Sequence, residues 1–584
     1  MADIATEAVE AGTMATPVAR PLRLRSFSML GWPVYAWFVA LVLVPNLLLI
    51  GTSFLRTSNG LIVFDPSVAS YLRLWNSASF QWLLMRTLAT SAAAAVLGCL
   101  IAYPMAYYAA RVVQRGRSVL IVLVIIPLWI SLLMRVFAWR MILGQNGILN
   151  SFLVNSGILD QPSEAFLYTG FSVLLTYTYI SIPFAFIAIF TALEKIPHSL
   201  IEASQDSGAS AWQTFRHVVW PLSRPGVAIG FALAFLTTVG DYITPSMVGG
   251  IDGTMIGMVI ASQFGIANNW PYGSAIAVCL MVSAGLVLAF VMWLGQTKGV
   301  LMGDEGAKPP SSRAPRTPGE RLLRAGAAVA FAVPYLFLYA PLAIMMLMSF
   351  NDSSVQAFPL QGMTLRWYVE LAQNDAMLEA VQRSLVVGFT VVLVSTVAAT
   401  GFAFAIHYGR VRQPRFFEFA LALPVAIPGV VLGIVMVLAT QLAHIPSGVP
   451  RTVIGQASFV MPVILMVILA RLRRLDGALL EASMDAGANH WQSFVHVLFP
   501  SIRGAVIGGA LLGFTLSADD VMVTLFLSGT SPTLPIWVWN QMRFGFTPSV
   551  NAIFTLVGVG SLLIILLCNR LLFRGPSRGN GSAS

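Results

Sequence analysis

The stretch EASQDSGASAWQTFRHVVWP at residues 202–221 returns as EASMDAGANHWQSFVHVLFP at residues 481–500. Glu, Ala, Ser, Asp, Gly, Ala, Trp, Gln, Phe, His, Val and Pro recur in register, with Glu202 set against Glu481 and Pro221 against Pro500. The chain therefore contains a duplicated module. Each copy reads as two short helices around a bend. Pro197 and the residues before Glu202 can start the first helix, and Gly208 or Gly487 suits the left-handed position that ends it. Ser210 with Gln213 forms a capping box that starts the second helix, and Asn489 with Gln492 is a looser counterpart. Pro221 and Pro500 are expected to close that second helix. A membrane-surface turn anchored by Trp212 and Trp491 would explain the aromatic residues. It would not explain the repeated Glu, Asp and Gly, nor a connection far longer than the two to eight residues usual between helices.

The surrounding composition places the module beside lipid. Hydrophobic residues make up 57% of the 584, charged residues only 10%, and mean hydropathy is +0.79. That is too little charge to cover a soluble surface. Apolar runs long enough to span a bilayer lie near 34–55, 87–110, 118–143, 171–193, 225–248 and 273–295. The second half repeats them near 326–349, 385–407, 416–440, 452–470, 504–527 and 551–573. This predicts an all-α membrane protein of twelve transmembrane helices in two homologous six-helix halves. Its expected divisions are an N-terminal tail 1–30, a first six-helix domain 31–298, a linker 299–322, a second six-helix domain 323–575 and a C-terminal tail 576–584. The linker carries the Pro-, Gly- and charge-rich text GDEGAKPPSSRAPRTPGER at 303–321.

Basic residues fix the expected orientation. Arg20, Arg23, Arg25, Arg111, Arg115, Arg117, Lys195, Arg216 and Arg224 share one side with Arg410, Arg412, Arg415, Arg471, Arg473, Arg474 and Arg503. The opposite loops carry Asp160, Glu164, Asp352, Glu370, Asp375 and Glu379. Both termini and both copies of the module are therefore expected on the cytoplasmic side of the membrane. The net charge of +10 reads as a topology signal; no basic soluble domain points to nucleic acid. The first thirty residues do not read as a signal peptide, and Cys99, Cys279 and Cys568 fall within spans, which argues against a disulfide or zinc framework.

The pattern E-A-S-x-D-x-G-A resembles the EAA signature of ABC importer permeases, with Ser204 and Ser483 in place of the usual third-position Ala. The resemblance implies that Glu202, Ala203, Asp206, Gly208 and Pro221, with Glu481, Ala482, Asp485, Gly487 and Pro500, belong to coupling helices that dock on a cytoplasmic ATPase pair. It thus implies a type I importer permease fold in the bacterial inner membrane, an ABC ATPase homodimer as partner and a periplasmic solute-binding protein that delivers cargo. The stretch WISLLMRVFAWRMILGQNGILN (129–150) is similar to the first permease subunit of spermidine/putrescine-type importers. SFNDSSVQAFPLQGMTLRWYVEL (349–371) and LSADDVMVTLFLSG (516–529) are similar to the second. The whole resembles a fusion of the two.

No segment fits G-x-x-x-x-G-K-[ST], and Lys195, Lys298 and Lys308 lie in no Gly-rich phosphate loop. The chain is thus expected to be no enzyme and to bind no cofactor or metal, with ATP and Mg used by the partner. The resemblance implies that the fifth spans line the pathway, where Asp241, Asp519 and Asp520 are costly ionisable groups. Asp241 falls opposite Asp520, and Gly250 opposite Gly529. Two related carboxylates suit a cation with an amine at each end; alternatively, each accepts hydrogen bonds from neighbouring helices or sits at the outer interface. Asp519, rotated by about 100° from its neighbour, is expected to face a neighbouring helix. Tyr242, Trp129 and Trp139 are candidate cation–π faces or packing residues. The partners of Arg135 and Arg140 stay open between backbone carbonyls and an acid. A ferric-iron or other nitrogenous-compound permease is the nearest alternative. A major-facilitator-like transporter would carry its motif between the second and third spans, where the text reads RVVQRGRS and GRVRQPRF.

Overall fold

The computed structural model describes residues 31–58, 61–113, 116–295, 318–353, 360–408, 413–544 and 548–560. Among them nine helices are long and apolar enough to cross a membrane, and two bent pairs bring the number to eleven. The first half contributes Trp32–Ser53, Ala78–Val112, the pair Arg117–Leu128 and Leu132–Asn155, Gly170–Glu194, Ala211–Val239 and Trp270–Leu294. The second contributes Phe331–Met348, Asp375–His407, the pair Phe416–Val425 and Gly429–Leu442, Val449–Leu472 and His490–Asp519. The shorter apolar helix Ser549–Gly560 stands where the twelfth span is expected. The N-terminal tail, the linker up to residue 317 and everything after 560 lie outside the described residues, whereas 318–321 already belong to the helix Pro318–Met348.

Three expectations need correction. Both third spans are broken, bending by 87° in the first half and 103° in the second, at Ile130–Ser131 and Ile427–Pro428. Both fifth spans end early, at Val239 and Asp519, instead of running on to 248 and 527. Pro221 and Pro500 do not end the second short helix, which continues unbroken into the fifth span. The reason is a π-type segment, Phe215–Val219 in one copy and Phe494–Leu498 in the other. Each ends immediately before the helical turn that holds the proline, and the Trp220 and Phe499 N–H groups reach back five residues to Phe215 and Phe494 carbonyls. The widened turn accommodates a residue that has no N–H to donate and whose ring crowds the preceding carbonyls.

The halves interlock through their first spans. Tyr335 and Tyr339, on the first span of the second half, donate to the Leu120 and Leu123 carbonyls of the first half, at 3.3 and 2.7 Å. Tyr35 and Phe38, on the first span of the first half, pack edge-on against Phe417 of the second. The fourth spans are the most enclosed of the long helices. One hydrophobic core runs from the first half through Val430, Ile434, Trp537 and Phe554 of the second. Outside the helices, Arg56–Ser58 and Leu61–Val63 form a small antiparallel hairpin after the first span.

Candidate coupling loops and intramembrane seam

The two copies of the module are built alike. Pro197 precedes the helix His198–Asp206, and Ala478–Asp485 is its counterpart. Gly208 and Gly487 follow with φ of +84° and +85°. Their N–H groups return to Gln205 and Met484 carbonyls at 2.9 Å, while those of Ala209 and Ala488 return to Ser204 and Ser483 at 3.2 Å. This is the paired Schellman closure that a left-handed residue allows. Both capping boxes are complete, so Asn489 with Gln492 is as well formed as Ser210 with Gln213.

A feature hidden in the sequence fixes the angle between the short helices. Ser204 Oγ lies 3.0 Å from Thr214 Oγ1, and Ser483 Oγ lies 2.8 Å from Ser493 Oγ. Thr214 and Ser493 are buried, so each hydroxyl pair ties the bend from inside. The third-position Ser thus does more than replace a small residue. The repeat itself carried the signal, since hydroxyl residues recur at 204/483 and 214/493. Outside the bend, Glu202, Ala203, Asp206, Gly208 and Pro221 are exposed, as are Glu481, Ala482, Asp485, Gly487 and Pro500. Beside them Leu200, Trp212, Leu479 and Trp491 are exposed apolar residues at matching positions. Trp212 and Trp491 each stack on a phenylalanine, Phe215 or Phe494, at 5.5 Å. At the root of the first copy, Arg111 donates to the Ile196 carbonyl at 2.7 Å and approaches His198 Nε2 at 3.2 Å. Burial, and then this guanidinium, push the His198 imidazole below its usual value, with Glu202 opposing.

The acids lie where the fifth spans break. Asp241 is buried, and its carboxylate accepts the Ile243 N–H at 2.7 Å and the Thr244 N–H at 3.3 Å. Asp520 accepts the Thr524 N–H at 2.9 Å, the Thr524 hydroxyl at 2.6 Å and the Val523 N–H at 3.4 Å. Each carboxylate therefore caps the turn that follows its own break. Side chains of the fourth spans support both breaks. Tyr177 donates to the Asp241 carbonyl at 3.3 Å, and Gln456 donates to Thr524 Oγ1 at 2.7 Å. Tyr177 and Gln456 occupy equivalent repeat positions, a polar pair within apolar spans that the sequence reading passed over. Gly250 and Gly529 follow the short helical segments Pro245–Gly249 and Thr524–Leu527 with φ of +57° and +58°.

Asp519 points elsewhere. Its Oδ2 accepts the Leu132 N–H at 3.0 Å, at the break of the third span in the opposite half. The equivalent residue, Gly240, packs against Pro428 at the other third-span break; a Cβ there would collide with the proline ring. Tyr242 is buried, with Phe526 and Trp539 of the second half at ring-centroid distances of 6.0 and 6.2 Å, and its hydroxyl has no hydrogen-bond partner among the described residues. Trp139 is buried against Tyr179 and Phe337 and serves as packing in this arrangement. Trp129 belongs to the turn Ile126–Trp129, and its side chain lies outside the described residues. Arg140 donates to the Tyr168 hydroxyl at 3.0 Å. Arg135 is buried among the core helices, with no ion pair or hydrogen bond to Asp519 among the described residues.

The family model described as binding-protein-dependent transport system inner membrane component matches residues 94–295 and 398–574, once in each half and over more than half of the chain. The chain belongs to that family. It is a multi-pass inner-membrane permease, with one family domain in each half. The spermidine/putrescine transport system permease protein PotB of Haemophilus influenzae is 34% identical over 256 residues, covering 44% of this chain and 89% of that protein. PotC of Shigella flexneri, of the same description, is 32% identical over 262 residues, covering 45% of this chain and 97% of that protein. Either relative is matched almost end to end by less than half of this permease. A bacterial ABC transporter that imports alginate is 18% identical, with a TM-score of 0.38, over 51% of this chain and 98% of that one.

Proposed function

We propose that this permease carries a polyamine-type cation across the inner membrane, taking it from a periplasmic solute-binding protein and drawing energy from a separate cytoplasmic ABC ATPase pair. The observation that carries the coupling half of this reading is the duplicated bend. Two identically built, exposed elements, at equivalent places in two homologous halves, fit a two-fold partner. Glu202–Pro221 and Glu481–Pro500 each meet one ATPase subunit in the cytoplasm. ATP and Mg act there, and this chain contributes no catalytic residue, cofactor or metal. The cargo half rests on the names of the relatives and on the carboxylates at the seam.

Asp241 and Asp520 are the recognition acids of this reading, with Tyr242 beside them. Backbone N–H donors fix where each negative charge sits, and a carboxylate has about four acceptor sites, so capping leaves capacity for an ammonium. In water-poor surroundings that attraction is stronger than on a surface. Asp241 reaches cargo only when the halves separate, as alternating access requires. Asp241→Asn and Asp520→Asn are each expected to impair polyamine uptake while leaving membrane insertion and ATPase assembly intact. Wild-type uptake by the double variant would remove the cargo site from this reading. Uptake independent of any ATPase would remove the coupling.

A further inference from the structure

A second element is written twice, on the face opposite the bends. The second span of the first half separates the two faces, since it begins at Ala78 and ends beside Arg111, at the root of the first bend. After each first span come a Ser-Phe pair, a loop and a short helix, Ala69–Trp75 in one half and Arg366–Ala372 in the other. Ser53 Oγ lies 2.6 Å from the Tyr71 hydroxyl, and Ser349 Oγ lies 2.7 Å from that of Tyr368. The Phe54 carbonyl accepts the Ser67 N–H at 2.6 Å, and the Phe350 carbonyl accepts the Thr364 N–H at 2.8 Å. Ser67 and Thr364 in turn accept the N–H groups of Ala69 and Arg366, each at 3.1 Å, where the helix starts.

The scaffold is kept, but its charge is reversed. Counted from the Ser-Phe pair, Arg56 stands where the second copy has Asp352. Counted from the helix starts, Arg73 stands where it has Glu370, and Ala78 and Trp82 where it has Asp375 and Glu379. Residues 56–86 hold three arginines and one aspartate, whereas 352–383 hold two arginines and four carboxylates. Local pairing does not cancel the difference. Arg56 meets Asp65 at 3.6 Å, while Arg73 and Arg86 lie over the Tyr272 and Trp82 rings and form no ion pair among the described residues. In the second copy Arg366 alone meets both Asp352, at 3.6 Å, and Glu370, at 3.5 Å. Arg383 meets Glu379 at 2.6 Å, and Asp375 forms no ion pair among the described residues.

We propose that the two elements together seat the solute-binding protein, and that their opposite charges fix which of its two domains lies over which half. This inference rests on the periplasmic-delivery reading above. A periplasmic binding protein closes two domains about its cargo at a hinge, so one molecule can bridge both halves without presenting the same surface twice. The bends are alike in backbone and in exposed residues, as two copies of one partner require. The opposite elements are alike in backbone and reversed in charge, as a single two-domain partner requires. The domain over the first half is acidic at its contact, and the domain over the second half is basic. Turned end for end, each domain would meet its own sign, and like charges set against each other at an interface are strongly disfavoured. Phe64 and Met363, exposed at 87% and 77%, mark the two contacts.

The test uses the full chain with its ATPase in nanodiscs, and the purified solute-binding protein with and without spermidine. Phe64→benzoylphenylalanine and Met363→benzoylphenylalanine are photolysed separately, and mass spectrometry identifies the captured domain. One domain is expected from the first position and the other domain from the second. Capture of the same domain from both positions, of both domains from either, or of neither while the protein is bound, would overturn the proposal. The charge arm measures binding affinity. Arg56→Glu with Arg73→Glu, and Asp352→Arg with Glu370→Arg, are each expected to weaken binding by at least about tenfold. Added salt is expected to weaken the wild-type complex. These four side chains lie at the surface, where ion pairs add little to folding, so membrane yield is the control. All four changes together restore the net charge but reverse its direction. That variant is expected to exchange the captured domains or to lose the complex. Wild-type affinity with the wild-type capture pattern would overturn the proposal and leave these charges to lipid headgroups. Failure of the delivery reading looks different, because the wild-type permease would then bind no solute-binding protein at all.

Discussion

Replacing Gly208 and Gly487 by valine isolates backbone conformation from every other property of the coupling bend. Both glycines sit at φ near +85°, and a Cβ built at either meets no atom within 4 Å. A side chain there causes no collision, so the whole cost is the left-handed backbone. For an L-residue that cost is about 1–2 kcal/mol, and branching at Cβ places valine at its upper end. The competing state is a first helix that runs on past residue 208 or 487 and loses the Schellman closure. A bias of this size lowers the ratio of bent to straightened loop by roughly 5- to 30-fold. With one substitution in each half and no shared partner, the two penalties add. The readouts are co-purification of the ATPase with the membrane-inserted permease and energised uptake. Each single valine variant is expected to weaken assembly, and the pair to abolish it, at normal membrane yield. Gly→Asn at the same positions is the control, because asparagine tolerates the left-handed region. Assembly and uptake undiminished in the double valine variant would refute the role of the bend. Asparagine variants as damaged as the valine ones would show that backbone sign is not the cause.

The Ser204–Thr214 and Ser483–Ser493 hydroxyl pairs are each expected to contribute about 1 kcal/mol to the closed bend; Ser204→Ala and Ser483→Ala should speed amide exchange across their elements, and removing both partners of a pair should cost less than removing one. His198 titrates below its unfolded value of 6.5 because of burial and Arg111. Since the unfolded segment binds the proton more readily, the contribution of His198 is complete above that value and is lost as pH falls through it. Amide protection across 198–206, corrected for the intrinsic exchange rate, should therefore fall as pH drops from about 7.5 to 5.5, and His198→Asn should flatten the dependence. Reporter fusions within 303–321 are expected to report cytoplasm, and a periplasmic signal would reverse the topology and place both bends on the wrong side for an ATPase.

What was legible in the sequence was whatever obeys a short-range rule or repeats. The positions of the apolar runs follow from the length a bilayer demands, and the bends follow from Gly208, Gly487 and their capping residues. The breaks were not legible. A proline in an apolar run marks a kink or nothing at all, depending on its neighbours. Thus Pro183 and Pro462 lie inside continuous fourth spans, whereas Pro428 begins a helix after a 103° bend. Pro221 and Pro500 misled for the same reason: a π-type turn of five residues has no fixed sequence mark, and it removes the conflict that would have ended the helix. The direction of Asp519 was readable from helical rotation, but its partner was not. Leu132 stands nearly four hundred positions earlier in the chain, and nothing local ties it to Asp519.

The repeat is kept closely in the bends and loosened at the breaks, and this division follows from what each part touches. Thr214 and Ser493, and Trp212 and Trp491, keep their contacts to within a few tenths of an ångström, and Gly208 and Gly487 share φ of +84° and +85°, as the proposed docking on two copies of one partner requires. At the breaks the two halves meet each other, so complementarity replaces likeness. Gly240 leaves room for the ring of Pro428, whose nitrogen has no hydrogen to offer a carboxylate. Leu132 does offer an N–H, and there the equivalent residue is Asp519. A carboxylate at 240 would collide, and a glycine at 519 would take from the helix start at Leu132 the acceptor it has there. The two sides of the seam therefore cannot exchange their residues, although the chain was written twice.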